Sequence, residues 1–255
     1  MELNFKSFGQ GDPVIILHGL FGMLDNWQTI AKKLADNYTV FLVDQRNHGR
    51  SPHDDQFDYP TMAADLMAFM ESQWIHQSHV IGHSMGGKTA MEFALTYPDS
   101  IDHLVVVDIA PKSYEGGHQA IFEALFSLNL KEIENRKEAE QALEAKISDF
   151  GVRQFLLKNL SRNKAGYYEW KMNLPAIHKN YQNILAATQA TGTMEAPTLF
   201  IKGGQSNYIE DTDEDLIHSF FPTAKIKTIE KAGHWVHAEA PKELLGEVEA
   251  FFSTS

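Results

Sequence analysis

The chain has 255 residues, 43% hydrophobic and 22% charged, with 22 Lys and Arg against 34 Asp and Glu and a formal net charge of −12. That length fits one large α/β domain with room for an inserted subdomain, and the composition is too apolar for a disordered chain. The acidic balance argues against a nucleic-acid or anionic-membrane partner, and the lack of cysteine excludes disulfides, a cysteine nucleophile and thiolate-bound zinc.

The first residues, Met1 to Lys6, lack the basic stretch and apolar run of a secretion signal. No apolar run reaches the roughly 18 residues a membrane span needs, so a cytoplasmic protein without stable membrane insertion is expected. Val14-Ile15-Ile16-Leu17 reads as a buried strand that stops at His18-Gly19. Asp25 is expected to cap a helix to about Asn37, with Trp27, Ile30, Ala31 and Leu34 on one face. Val40 to Val43 is the next strand, and Thr61 opens a helix carrying Met62, Leu66, Phe69 and Met70. His79 to Gly82 is a short strand, Met85 to Tyr97 the helix after it, and Leu104 to Val107 a further strand ending at Asp108. From about residue 111 to 193 no strand is evident. Amphipathic helices with aromatic residues at Phe122, Phe126, Phe155, Tyr167, Tyr168 and Trp170 fill this stretch. The alternation then resumes with strand Thr198 to Ile201, helix Asp211 to Phe221, strand Lys225 to Ile229 and helix Pro241 to Phe252. The pattern predicts an α/β fold, a mostly parallel central sheet with helices on both faces, in a single domain 1–255 with residues 111–193 as an inserted helical cap.

Gly82-His83-Ser84-Met85-Gly86-Gly87 lies between a strand and a helix, the context a G-x-S-x-G nucleophile elbow requires. The turn leaves no space for side chains two positions either side of the serine, hence glycine at 82 and 86. It lifts the Ser84 hydroxyl above the sheet and sets the Met85 amide at a helix N-terminus, facing a developing oxyanion. A serine needs a base within hydrogen-bond reach, and the chain order in this arrangement is nucleophile, acid, histidine. Of 12 histidines, His234 is the best placed, in a glycine-flanked loop after the last strand, with His237 as the alternative. His18, His48 and His83 suit structural hydrogen bonding. Without H-E-x-x-H spacing or a carboxylate cluster among the histidines, neither a metal nor a cofactor is expected.

These residues resemble the α/β-hydrolases, and more narrowly the YbfF-type esterases and their eukaryotic relatives. The likeness rests on His18-Gly19-Leu20-Phe21-Gly22-Met23-Leu24-Asp25-Asn26-Trp27, on Val43 to Pro52, on the elbow with Lys88, on Asp108-Ile109-Ala110-Pro111 and on Ala232 to Glu239. Together these segments run through nearly the whole chain. Many relatives carry the acid in a Gly-x-x-Asp turn after the strand that here ends at Ile201. This chain has Ser206 at that position. Asp108, closing the strand after the nucleophile helix, is therefore assigned as the orienting acid, with Asp211 and Asp213 as alternatives. The resemblance supports Asp108 and implies that Ser206 joins its hydrogen-bond network. It also implies the Leu20 amide as second oxyanion donor, with Phe21 as runner-up. Arg46 and Arg50 are expected to brace their loop rather than bind an anionic substrate, and Lys112 and Lys171 to be solvated rather than to meet a CoA phosphate.

The expected reaction is hydrolysis of small-molecule carboxylic esters, or of acyl-CoA thioesters, through an acyl-serine, falling on acidification because the base must be neutral. The alternatives are a C–C bond hydrolase on the same fold and a non-catalytic ligand-binding protein on a hydrolase scaffold. Oligomeric state is not encoded in any motif found here.

Overall fold

Successive strand residues point to opposite faces, and the apolar runs are sorted accordingly. Ile15, Leu17, Val80, Leu104, Val106 and Phe200 pack on one face, and Val14, Ile16, Ile81, Val105, Leu199 and Ile201 on the other. Both faces are buried, so these strands are apolar at every position, as a covered parallel sheet requires.

The computed structural model describes residues 1–253. Elements follow in the order β1 (Phe5–Phe8), β2 (Pro13–Leu17), α1 (Gln28–Leu34), β3 (Thr39–Val43), α2 (Tyr59–Ser72), β4 (Ser78–His83), α3 (Met85–Thr96) and β5 (Ile101–Val107). Between β5 and the next core strand lie α4 (Gln119–Ser127), α5 (Arg136–Glu144), α6 (Phe150–Leu157), a hairpin of β6 (Leu160–Arg162) and β7 (Tyr168–Trp170), α7 (Leu174–Lys179) and α8 (Tyr181–Leu185). The chain then adds β8 (Thr198–Gly203), α9 (Glu214–Phe220), β9 (Lys225–Ile229), α10 (Val236–Glu239) and α11 (Pro241–Phe252). The seven-stranded sheet has the order β1-β3-β2-β4-β5-β8-β9. All neighbours run parallel except β1, which pairs antiparallel with β3. Residues of α2, α3 and α9 cover one face, and residues of α1 and α11 the other. No helix among the described residues is long and apolar enough to cross a membrane.

Several sequence expectations are corrected. Asp25 does not cap a helix: it lies in a 3₁₀ turn, Leu24–Trp27, and its carboxylate accepts from Lys6 and Gln28 side chains. The helix expected at Thr61 starts at Tyr59, because Asp58 takes the cap role and accepts the Thr61 amide at 2.9 Å. The stretch read as strandless holds the β6–β7 hairpin, whose three-residue strands are too short to show a period.

Apolar side chains of the β5–β8 segment form their own core, which includes Phe21, Tyr59, Met62 and Met85 from the sheet-bearing part. Both ends of the segment are tied to α3. Buried Lys88 donates to the carbonyls of Lys112 and Ala186, and Glu92 accepts the Gln189 amide at 2.7 Å. Burial pulls the Lys88 ammonium down to about 7, while the ring of Tyr114, 4.8 Å away, and the two carbonyls favour its charged form.

Candidate active site

Strand β4 ends at His83 and α3 begins at Met85, leaving Ser84 alone in the turn with φ 53° and ψ −119°. A Cβ on Gly82 would strike the backbone of Gly86 and Gly87, and one on Gly86 would strike the carbonyls of Leu17 and His18. The glycines thus let the turn close against β2, and strain at Ser84 is held by its surroundings. Its amide donates to Val107 O and its carbonyl accepts from Lys88 N, both at 3.0 Å.

Three loops at the carboxyl ends of the strands converge on this hydroxyl. His234, in the loop after β9, places Nε2 3.0 Å from Ser84 Oγ and Nδ1 2.8 Å from Asp108 Oδ2. Asp108, fully buried at the end of β5, also accepts the Gly203 amide on Oδ1 at 2.9 Å and the Ser206 hydroxyl on Oδ2 at 2.5 Å. A carboxylate against Nδ1 fixes the proton there and leaves the Nε2 lone pair facing Ser84. The Tyr208 ring stacks on His234 at 3.9 Å, a support the sequence reading missed although Tyr208 lies only two residues beyond Ser206. Asp211 and Asp213, the alternative acids, are instead paired with Lys202 at 2.8 Å and Lys112 at 2.7 Å. His237 is buried and stacked on Trp27 at 4.6 Å.

The loop after β2 brings Gly19 and Leu20 beside Ser84 in the cavity wall. Phe21 N donates to His48 Nε2 at 3.1 Å, so that amide is already engaged. Met85 is the first residue of α3, where amides have no carbonyl partner within the helix. His48 Nδ1 donates to Arg46 O at 2.9 Å, and His18 joins the Gly19 carbonyl through Nδ1 (2.8 Å) to the Gln45 amide through Nε2 (3.0 Å). His83 Nε2 donates to His234 O at 2.8 Å and so holds the histidine loop.

Each of these imidazoles is held neutral. Burial lowers His18 to about 4, His48 to about 3 and His237 to about 3, and puts His83 well below the ordinary value. A depressed histidine contributes stability that is full above its unfolded value, about 6.5, and is lost as pH falls toward the folded value. Thermal unfolding is therefore expected to lose at least about 3 kcal/mol between pH 7 and pH 5. A flat stability profile across that interval would contradict the neutral, buried assignment.

Above Ser84 lies a cavity of about 330 Å³, walled by Leu20, Ile121, Val152, Phe155, Tyr181 and Trp235 among others. Phe155 of the predicted aromatic set faces this space, whereas Phe122 is buried in the segment's core and Phe126 and Tyr167 are half exposed. Polar side chains His118 and Tyr181 share a 2.5 Å hydrogen bond at its edge. Arg46 is buried against Asp65, with contacts at 2.5 and 3.0 Å, and braces the loop as expected. Lys112 is not simply solvated but paired with Asp213 (2.7 Å) and Glu210 (3.2 Å), and Lys171 donates to Lys158 O. Among the described residues, the side chains grouped so as to suit a metal are His79, Asp102 and His103, far from this cavity. Spacing did not reveal them because they come from two different strands.

Comparison with known proteins agrees with the geometry. The family model described as alpha/beta hydrolase fold matches residues 12–241. The chain is 37% identical over 259 residues to Esterase YbfF of Escherichia coli (strain K12), covering 99% of this chain and 100% of that protein. It is 38% identical over 262 residues to the sn-1-specific diacylglycerol lipase ABHD11 of Danio rerio, covering 98% and 82% of the two chains. A solved structure titled "Marine microorganism esterase" superposes with a TM-score of 0.96 at 46% identity, covering 98% of this chain and 99% of that one. Elbow, strand order and sequence match therefore converge: the chain belongs to the α/β-hydrolase family, with YbfF-type esterases among its relatives.

Proposed function

We propose that this protein is a serine hydrolase of small-molecule carboxylic esters that works through an acyl-serine. The reading is carried by one observation, the continuous relay from Asp108 Oδ2 through His234 to Ser84 Oγ, with spacings of 2.8 and 3.0 Å. Relatives named esterase and sn-1-specific diacylglycerol lipase support ester chemistry. Ser84 Oγ attacks the ester carbonyl as His234 Nε2 removes its proton, and Asp108 stabilises the imidazolium. The Leu20 and Met85 amides donate hydrogen bonds to the negative charge developing on the carbonyl oxygen, at roughly 3 kcal/mol per donor in comparable sites. His234 then returns the proton to the leaving alcohol. Water, deprotonated by the same imidazole, releases the acid and restores Ser84. Ser206 serves as a positioning residue that holds Asp108.

The β5–β8 segment acts as a cap over this site. Its apolar wall and a cavity volume at the small end of the about 300–1,000 Å³ typical of ligand pockets favour short to medium acyl groups. A graded series of p-nitrophenyl esters and acyl-CoA thioesters, assayed with Ser84→Ala as control, tests the proposal. Esters of short to medium acyl chains are expected to be cleaved fastest, and thioester cleavage would widen the substrate class. Failure of every ester, with cleavage of a carbon–carbon bond in a diketone substrate, would replace this reading by that of a C–C hydrolase.

A further inference from the structure

At the end of the sheet opposite Ser84, β4 and β5 do not pair one to one. Ser78 faces Ile101 and Val80 faces Leu104, so His79 alone stands against two residues, Asp102 and His103. In a regular strand neighbours point to opposite faces. An extra residue of this kind re-aims side chains, and here it brings Asp102 and His103 together beside His79. Asp102 Oδ2 lies 3.2 Å from His79 Nδ1 and 3.3 Å from His103 Nδ1. The three atoms all lie within 4.8 Å of one another.

Two features separate this cluster from an ordinary hydrogen-bonded surface group. First, His79 is buried, 5% exposed, yet its Nδ1 has no partner of hydrogen-bond geometry among the described residues. Second, the nitrogen–oxygen spacings exceed those of a charge-assisted hydrogen bond, about 2.7–2.9 Å. They match the roughly 3.3 Å edge of a tetrahedron drawn around an ion with bonds of about 2.0–2.1 Å. The imidazoles are set by packing: Phe252 stacks on His79 at 4.3 Å, Phe251 meets His103 edge-on at 5.2 Å, and Tyr38 meets His79 edge-on at 5.6 Å. Asp12 adds a further negative charge acting on His79. Asp102 is half exposed, so the carboxylate is the side of the cluster that meets solvent.

We propose that His79, Asp102 and His103 form a binding site for a divalent transition-metal ion of the Zn²⁺ class. Two imidazoles and one carboxylate are the donors that select Zn²⁺, Co²⁺ or Ni²⁺ over Mg²⁺ and Ca²⁺, which prefer all-oxygen sites. The site is structural. His79 precedes Ser84 by five strand residues, about 16 Å along the sheet, so the ion takes no part in acyl transfer. It would fasten β4 and β5 beside the end of α11, whose Phe251 and Phe252 cover the imidazoles.

The test uses full-length protein stripped with EDTA and freed of chelator, titrated with Zn²⁺ by calorimetry and with Co²⁺ by visible absorption. One equivalent of ion, a rise in unfolding temperature and a tetrahedral cobalt spectrum are expected, unchanged in Ser84→Ala. Loss of a mere outer partner costs about 10–100-fold in metal affinity, so His79→Gln and Asp102→Asn should each weaken binding more than about 100-fold. Ester turnover should stay within twofold of wild type in both. If His79→Gln fails to fold, Asp102→Asn, altered at a half-exposed carboxylate, decides alone. Absence of stoichiometric binding in wild type, or binding that survives Asp102→Asn, would overturn the proposal.

Discussion

Ser84→Ala is expected to lower ester turnover by about a million-fold, the loss seen when a serine nucleophile that acts in concert with its base is removed. The reason is positional. The Ser84 hydroxyl lies 3.0 Å from His234 Nε2, and Ser84 immediately precedes α3, whose first residue is Met85. Without the hydroxyl the relay has no nucleophile to activate, while the cavity and both amides persist, so substrate binding should change little. Ala has no hydroxyl and fits the space, but at φ 53° it keeps the strain that the elbow imposes. Folding should therefore be checked by thermal unfolding. A fluorophosphonate probe should label wild type and leave the variant unlabelled. Turnover retained in Ser84→Ala would mean that His234 activates water directly, and the acyl-serine scheme would fall.

Asp108→Asn should lower turnover by about 10⁴-fold with little loss of fold, the size of effect that follows when a histidine is left in the wrong tautomer. Asp108 is held at φ 51°, a conformation Asn tolerates better than other residues with side chains. The substitution is also nearly isosteric, so it isolates charge from shape. Asp108 Oδ1 accepts the Gly203 amide, and Oδ2 accepts both the Ser206 hydroxyl and His234 Nδ1. An asparagine has one acceptor oxygen for these three donors, and its NH₂ must face at least one of them. Whichever way it turns, the imidazolium loses its compensating charge. Ser206→Ala removes a single hydrogen bond from the same carboxylate, so a loss nearer tenfold is expected. Near-full turnover in folded Asp108→Asn would exclude Asp108 as the orienting acid and return attention to the other carboxylates.

The core strands and the elbow were legible because each is a local pattern. Unbroken apolar runs at Val14–Leu17 and Leu104–Val107 announce strands covered on both faces, and Gly82 and Gly86 announce a turn that excludes side chains. Features set by distant partners were not. The edge strand β1 is short and only half buried, and the register of β6 and β7 comes from pairing rather than period. Asp25 has a suitable cap side chain, but the segment first winds a 3₁₀ turn and Lys6 draws its carboxylate away. The His79 cluster depends on a shift between two strands that no spacing within either strand records.

From the chain of residues alone came the nucleophile turn, the histidine in its glycine-flanked loop, and the expectation of a helical stretch over them. Asp108 is already favoured over Asp211 and Asp213 by its place after the nucleophile helix and by the family resemblance, and the fold supplies the physical reason. All three are plausible by residue type, and only Asp108 lies within reach of His234, the others being occupied by lysines. For the amides at positions 20 and 21, the resemblance favours Leu20, and the fold adds that the Phe21 amide is engaged by His48. Residue type fixes what chemistry a side chain can perform, but a hydrogen bond requires approach to about 3 Å. Between residues more than a hundred positions apart, that approach is decided by strand order and packing.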